Sequence, residues 1–151
     1  MSKVEFIPKG YHSLTPYLIV KGGAKALEFY SKAFGAKELF RMPGPDGRIG
    51  HAEMQLGDSR FMLADEAPER DVRAPQGASP VHLMFYCEDV DRMFKRALSA
   101  GGKELRPLTN QFYGDRSGTL ADPFGHQWTV ATHVEDVSSE EMDRRMKQQK
   151  M

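Results

Sequence analysis

The feature that most constrains this chain is an internal repeat of one helical pattern. Apolar residues recur at i, i+3, i+4, i+7 and i+8 in two segments, the arrangement of one face of an amphipathic helix. They are Ala26, Phe29, Tyr30, Ala33 and Phe34, then Val90, Met93, Phe94, Ala97 and Leu98, each 64 residues after its counterpart. Gly-Ala-Lys-Glu-Leu at 35–39 is echoed by Gly-Gly-Lys-Glu-Leu at 101–105. The repeat predicts two similar modules; the alternative is a chance similarity within an ordinary α+β protein.

Strand patterns surround both helices in the same order. Turn residues, among them Pro43-Gly44-Pro45-Asp46-Gly47 and Asp122-Pro123-Phe124-Gly125, separate short apolar or β-branched runs. The predicted strands are 14–20, 36–41, 50–56 and 60–65 in the first half, and 81–87, 103–108, 117–121 and 127–132 in the second. Gly35 is predicted to end the first helix, and Asp89 to cap the start of the second. The sequence therefore predicts an α+β fold built from tandem βαβββ modules.

Two segments lie outside this pattern. Residues 67–80 are rich in Pro, Ala and charged residues without an apolar period, which predicts a linker or mobile loop between module one (12–66) and module two (81–134). Residues 135–151 form a separate tail. There, Ser138 with Glu141 three residues later is a capping box that predicts a short helix, packed on its own domain or on a second subunit.

Composition restricts the partners of the chain. Its 151 residues carry 21 Lys plus Arg and 21 Asp plus Glu, so the balance offers no basic excess for nucleic acid. No run approaches the roughly 18 apolar residues of a membrane span, and the N-terminus lacks the apolar core of a signal peptide. The single cysteine, Cys87, cannot form an internal disulfide. We expect a cytoplasmic protein without a nucleic-acid or membrane partner.

Several motifs resemble one superfamily. They are TPYLIV (15–20), LEFYSKAFGAKEL (27–39), GRIGHAEMQLGD (47–58), FMLADE (61–66), FYGDRSG (112–118) and DPFGHQWTVATH (122–133). Together they resemble the vicinal oxygen chelate superfamily of glyoxalase I, bleomycin resistance proteins and extradiol dioxygenases, in the branch similar to the small phosphonate-operon protein. The resemblance covers residues 12–134. It implies a single domain whose two curved sheets enclose a cup, and a homodimer that builds or exchanges modules across its interface.

The resemblance also implies positions for a metal. Family enzymes hold a divalent cation with His or Gln on the first strand of each module and Glu on the last. Counting along the motifs puts these positions at Thr15, at Met62 or Leu63, at His82 and at Thr129. Only His82 is a competent ligand, so no metal or other cofactor is expected. The alternative is a divalent metal near His82 with His51 and Glu53, which alternate on one strand; the same pair is also typical of a half-solvated strand face.

Without a metal, the cup is a candidate small-molecule site. The residues predicted to line it are Tyr17, Met62, His82, Tyr113, Arg116 and Trp128, with Met84 and Phe112 beside them. Structural roles are the alternatives: Trp128 in the core, Arg116 in a hairpin salt bridge with Asp115, and His82 as a buried strand histidine.

Three functions are compatible with these residues. We expect a metal-independent protein that binds or sequesters a planar or acidic small molecule, as the resemblance to bleomycin resistance proteins implies, with no catalytic residue identified. The alternative is a metal-dependent lyase, isomerase or dioxygenase with an atypical site around His82. A third possibility is a dimeric interaction module without a ligand.

Overall fold

A computed structural model of the protein describes residues 3–149 and contains two four-stranded sheets of identical topology. Module one comprises β1 (Tyr17–Val20), α1 (Gly23–Phe34), β2 (Lys37–Pro43), β3 (Ile49–Leu56) and β4 (Ser59–Asp65). Module two comprises β5 (His82–Tyr86), α2 (Val90–Ser99), β6 (Lys103–Asn110), β7 (Asp115–Ala121) and β8 (Gln127–His133). The strand orders are β1-β4-β3-β2 and β5-β8-β7-β6. The predicted α+β fold with tandem βαβββ modules is confirmed.

The ends of the elements follow local chemistry. Gly35 ends α1 in the left-handed conformation with φ of 73°, and the Asp89 side chain accepts a hydrogen bond from the Arg92 amide at 3.1 Å at the start of α2. Both ends are as predicted. β1 begins at Tyr17 rather than at residue 14, since Pro16 has no amide proton for the sheet, although its carbonyl accepts from the Met62 amide.

A layer of helices covers one face of each sheet. The two helices pack against each other and against one face of each sheet, where the side chains of both modules form one continuous core. We call the opposite face of each sheet its open face. Along β4 the core-facing residues Phe61 and Leu63 are buried, whereas Met62 between them is half-buried on the open face. The period of two along a strand thus separates the core from the surface that is available to a ligand.

A buried carboxylate joins the modules. Asp122, which follows β7, accepts hydrogen bonds from the Tyr30 hydroxyl of α1 at 2.5 Å and from the Trp128 indole nitrogen of β8 at 2.9 Å. Its second oxygen accepts from the amides of Phe124 and His126. Burial raises the pKa of Tyr30 well above its usual range, and the charge of Asp122 raises it further, so the phenol remains a donor. The His126 ring bonds the Ile19 carbonyl of β1 at 3.0 Å, which adds a second link.

The segment predicted as a linker has structure of its own. Residues Pro68–Arg70 form a 3₁₀ turn, closed by a bridge between Ala67 and Val72, and the Ala74 amide bonds the Glu66 carboxylate at 3.1 Å. The turn lies beside β1 and β4, where it forms one wall of a cavity.

The tail contains the predicted helix, α3 (Ser139–Gln148), capped by Ser138. Arg145 pairs with Glu135 at 2.9 Å and donates to the Phe112 carbonyl at 3.0 Å. No residue of α3 within its described range is buried, so polar contacts hold the helix on its own chain. None of the helices described between residues 3 and 149 has the length and hydropathy to cross a bilayer.

The Asp122 network predicts a large stability difference. Replacing Asp122 by Ala leaves the buried Tyr30 hydroxyl and Trp128 indole without an acceptor, and we expect a loss of about 3–5 kcal/mol in the free energy of unfolding. Tyr30→Phe removes one hydrogen bond and orphans no donor, so it should cost about 1.5 kcal/mol. Urea unfolding followed by tryptophan fluorescence measures both. Equal losses for the two variants would contradict the role given to Asp122.

Candidate ligand site

The site is built on one row of side chains across the open face of module one. Tyr17 of β1 is the direct register partner of Met62 of β4, and Met62 is the partner of Glu53 of β3. Direct partners point to the same side of a sheet, so the three side chains lie next to one another. On β2, Phe40 extends the row beyond Glu53. The row places an aromatic ring, a thioether and a carboxylate side by side.

A chain of hydrogen bonds crosses this row. The His51 Nδ1 atom lies 2.8 Å from the Tyr17 hydroxyl, and its Nε2 atom lies 2.8 Å from one Glu53 oxygen. The other Glu53 oxygen accepts from the hydroxyl of Tyr11, which comes from the segment before β1. Arg60 lies over the Tyr11 ring, 5.1 Å from its centroid. Four side chains thus form one polar chain of hydrogen bonds, Tyr11–Glu53–His51–Tyr17, across the open face of module one.

The hydrogen bonds of Glu53 determine which of these side chains is charged. Hydrogen bonds from Tyr11 and His51 lower the pKa of Glu53 below its usual range, so the carboxylate is ionised at neutral pH. Burial, and then the hydrogen bond to Glu53, raise the pKa of Tyr11 to about 12. Burial and the charge of Glu53 also raise the pKa of Tyr17. Both phenols therefore keep their protons beside a single negative charge.

Two cavities meet at Tyr17. The first, of about 620 Å³, has Tyr17, Ile19 and Ala64 as its floor and is bordered by the segment that carries the 3₁₀ turn. Its charged lining residues are Arg48, Asp65, Glu66, Glu69 and Arg70. The second, of about 490 Å³, lies between β1 and the stretch from Arg73 to Leu83. Because the Tyr17 ring is 47% exposed, it is accessible to a ligand in either cavity.

The charged groups around the first cavity differ in how firmly they are held. Asp65 is fully engaged, since its oxygens accept from the amides of Gly22, Gly23 and Ile49 at 2.7–2.9 Å. Arg48 approaches Glu69 only to 3.7 Å, and both side chains are largely exposed. The guanidinium of Arg48 is therefore free to turn toward a ligand carboxylate.

Module two presents a different open face. Met84 of β5 is the register partner of Thr129, whose hydroxyl bonds that of Thr119 at 2.8 Å. Further along, the buried Asp115 accepts from the Tyr86 hydroxyl and from the His133 ring, both at 2.8 Å. Met84 and Tyr86 also line a third cavity of about 760 Å³ between the modules.

Two predicted lining residues lie on the wrong face. Trp128 is 3% exposed and packs in the core among Tyr30, Phe34 and Phe61, with its indole held by Asp122. Arg116 pairs with Asp91 of α2 at 2.8 Å on the helix side of the sheet. Trp128 therefore has the core position given above as its alternative, although it also borders the third cavity. Neither residue belongs to the row on module one, and the alternative pairing of Arg116 with Asp115 is wrong.

Two more predicted residues are remote from the row. His82 is exposed on β5, contrary to the alternative of a buried histidine. Tyr113 packs edge-on against Phe112 with ring centroids 5.3 Å apart and lines none of the three cavities described above. Tyr17 and Met62 are the predicted residues that the structure brings together.

The residues present do not fit the metal that the fold family implies. Leu63 is buried in the core, so the fourth-strand position is Met62, a thioether that suits neither hard nor borderline divalent cations. At Thr129 the hydroxyl is engaged by Thr119. His51 and Glu53 direct donor atoms at each other and at tyrosines rather than at a common point. Within residues 3–149, no three His, Cys, Asp or Glu side chains converge as metal ligands.

Sequence reasoning missed Tyr11, Arg48 and Arg60. The alternation of His51 and Glu53 was recognisable, but Tyr11 lies 42 residues before Glu53 in a segment without a periodic pattern. Its contact depends on how that segment crosses β4.

Comparison with known proteins identifies the family. The model of the glyoxalase/bleomycin resistance protein/dioxygenase superfamily matches residues 11–130. The chain belongs to this superfamily. An uncharacterised protein of Mycobacterium bovis is 39% identical over 142 residues, which cover 91% of this chain and 93% of the relative. The predicted superfamily is therefore confirmed.

Solved structures show the same fold. The PhnB protein from Bacillus cereus superposes with a TM-score of 0.64 at 21% identity, covering 80% of this chain and 99% of its own. The fosfomycin resistance protein FosX from Listeria monocytogenes, solved with Mn(II) and sulfate, superposes with a TM-score of 0.64 at 19% identity, covering 89% of this chain and 97% of its own. At 19–21% identity, these superpositions show that the present chain shares its fold with both proteins. They do not show a shared function.

The polar chain predicts a measurable change in the titration of Tyr11. In Glu53→Gln the pKa of Tyr11 should fall below about 12, because a neutral amide removes the negative charge that raises it. Ultraviolet difference titration at alkaline pH, with Tyr11→Phe to assign the signal, measures it. An unchanged midpoint in the variant would contradict the contact between Tyr11 and Glu53.

Proposed function

We propose that this superfamily member is a metal-independent protein that binds a small planar acid on the open face of module one. The observation that carries the proposal is the row Tyr17, Met62 and Glu53, in which a thioether occupies the position that family enzymes give to a metal ligand. A surface of this kind binds by stacking and apolar contact rather than by coordination.

The form of the ligand follows from the walls of the first cavity. A flat ring in this cavity can lie against Tyr17, while Ile19 and Ala64 supply further apolar contacts. Met62, the register partner of Tyr17, lies beside that ring on the open face. Arg48 and Arg70 border the same cavity beside Asp65, Glu66 and Glu69, and their guanidinium groups can pair with a ligand carboxylate. The ionised Glu53 lies on the far side of Met62, so an acidic group is favoured near the arginines and disfavoured near the carboxylate.

We propose further that a second copy of the chain covers the open faces. Phe40 and Tyr86 are 46% and 59% exposed on β2 and β5, and both point to the open side of their sheets. Apolar surface of this extent is typical of an interface. A homodimer in the cytoplasm, without a nucleic-acid or membrane partner, accounts for these observations together with the balanced charge and the single cysteine.

Binding of a planar acid is directly testable. We expect isothermal titration calorimetry with benzoylformate to show binding to the wild type and a loss of at least tenfold in affinity in Tyr17→Ala, about 1.4 kcal/mol, because the stacking surface is removed. Tyr113→Ala is the matched control and should bind as the wild type does, since Tyr113 lies outside the cavities.

The same preparation tests the metal. Protein purified without a histidine tag should contain far less than one divalent metal ion per chain by mass spectrometry. A stoichiometric metal that disappears in His82→Ala would overturn the proposal in favour of a lyase, isomerase or dioxygenase with an atypical centre.

The dimer predicts a mass in solution about twice the 17.0 kDa of one chain, measured by light scattering after gel filtration. Phe40→Glu should shift the protein toward the monomer, because it buries a charge in the interface. Phe6→Glu is the control, since Phe6 is 93% exposed and lies outside both sheets. A monomeric wild type would contradict this part of the proposal.

A further inference from the structure

The hydrogen-bond chain on the open face has the geometry of a proton-transfer device. A bound planar acid would lie against the exposed ring of Tyr17, and behind its hydroxyl stand His51 and then Glu53. A reaction at these hydrogen-bonded side chains rests on the proposed binding of such an acid. It would make the protein an enzyme as well as a binding protein.

The proton positions follow from simple hydrogen-bond chemistry. An ionised carboxylate can only accept, so Glu53 takes hydrogen bonds from the Tyr11 hydroxyl and from His51 Nε2, which must carry the imidazole proton. His51 Nδ1 is then a bare acceptor, and the Tyr17 hydroxyl donates to it. The free lone pairs of the Tyr17 oxygen remain available to a ligand. Before any transfer, the Tyr17 oxygen is therefore the atom that can accept a proton from the ligand.

We propose that Tyr17, His51 and Glu53 catalyse the removal and return of a proton on a small planar acid that carries a C–H bond next to a carbonyl group. Tyr17 is the catalytic residue, because its oxygen touches the substrate. His51 and Glu53 are positioning residues that act through Tyr17, while Arg48, at the border of the same cavity, holds the carboxylate.

The step balances without a metal or a co-reactant. The C–H bond of the substrate breaks, its electron pair moves into the carbonyl group to give an enolate, and the proton passes to the Tyr17 oxygen. The original proton of Tyr17 moves to His51 Nδ1, and the resulting imidazolium lies against the Glu53 carboxylate, 2.8 Å away. Return of the proton to oxygen or to carbon completes an isomerisation. Glu53 stabilises the charge that His51 acquires, as a carboxylate behind a histidine does in other proton-transfer sites.

The surroundings of Tyr17, His51 and Glu53 favour a role in proton transfer over a purely structural role. The raised pKa of Tyr17 keeps its proton in place until the transfer begins. Met62 lies between Tyr17 and Glu53 and places a thioether beside the hydrogen-bonded side chains. Tyr17 is 47% exposed and borders two cavities, so its hydroxyl is accessible to a ligand.

The experiment uses phenylpyruvate, a planar aromatic acid whose enol and keto forms are distinguished by ultraviolet absorbance. We expect the wild type to accelerate the interconversion above the rate in buffer. Tyr17→Phe keeps the ring but removes the hydroxyl, and should lower kcat by about 100-fold or more. Tyr113→Phe is the matched control and should leave the rate unchanged.

Two variants separate a positioning role from a structural one. His51→Gln should lower kcat to the level of Tyr17→Phe, and Glu53→Gln should lower kcat more than it raises KM. Binding of benzoylformate, which has no proton next to its keto group to remove, should persist in Tyr17→Phe and in both of these variants.

The outcomes distinguish the two proposals. If the wild type binds benzoylformate but converts phenylpyruvate no faster than His51→Gln does, the proton transfer is wrong and the binding function stands. If the wild type binds neither acid, both the ligand class and the inference that rests on it are wrong. A rate enhancement that survives Tyr17→Phe would also overturn the assignment of Tyr17 as the catalytic residue.

Discussion

The buried carboxylate of Asp122 is the contact on which the arrangement of the two modules depends. It accepts from Tyr30 of α1 and from Trp128 of β8, and so links a helix of the first module to a strand of the second. The motif Asp-Pro-Phe-Gly-His-Gln-Trp at 122–128 supplies the acceptor, one of its donors and the His126 bond to β1. This motif, which is one of those that resemble the family, therefore holds the two modules together. It contributes no side chain to the row of Tyr17, Met62 and Glu53.

One face of each sheet packs against the helices, and the other face is the open face. Because the helices and the Asp122 network satisfy one side of each sheet, the residues on the other side are not needed for the core. On module one that surface combines Met62 with a polar chain that ends at Tyr17. Under the proposed function, this face selects its ligand by shape, by stacking and by the arginines of the first cavity rather than by metal coordination. In the proposed proton transfer, the hydrogen bonds that orient His51 also provide the route for the proton of Tyr17.

Features of the fold that depend on local sequence were predictable, whereas contacts between residues distant in sequence were not. The two helices and their ends followed from apolar periodicity and from Gly35 and Asp89, and these are local properties. Counting along the motifs left the fourth-strand position at Met62 or Leu63, and the structure puts Met62 on the open face. Trp128 could not be placed, because alternation of Gln, Trp and Thr on β8 defines two faces without saying which one meets the helices. That choice depends on Tyr30 and Asp122, which are distant in sequence.

The charged residues show the same limit. Arg116 follows Asp115 directly, but neighbours on a strand point to opposite faces, so Arg116 pairs with Asp91 of α2 while Asp115 accepts from Tyr86 and His133. Tyr11 reaches Glu53 only because the segment before β1 crosses the sheet. Periodicity describes a strand and its faces. The partners of a polar side chain depend on which strands and helices are brought together, and this information is absent from any short pattern.

The open face of module one is proposed to hold an organic ligand against Tyr17 and Met62 without a metal. A crystal structure of the untagged protein with benzoylformate, with anomalous data collected for transition metals, tests this most directly. We expect ligand density in contact with the Tyr17 ring, a carboxylate directed toward Arg48, and no anomalous peak beside His82 or His51. An anomalous peak coordinated by His82, or ligand density confined to module two, would contradict it.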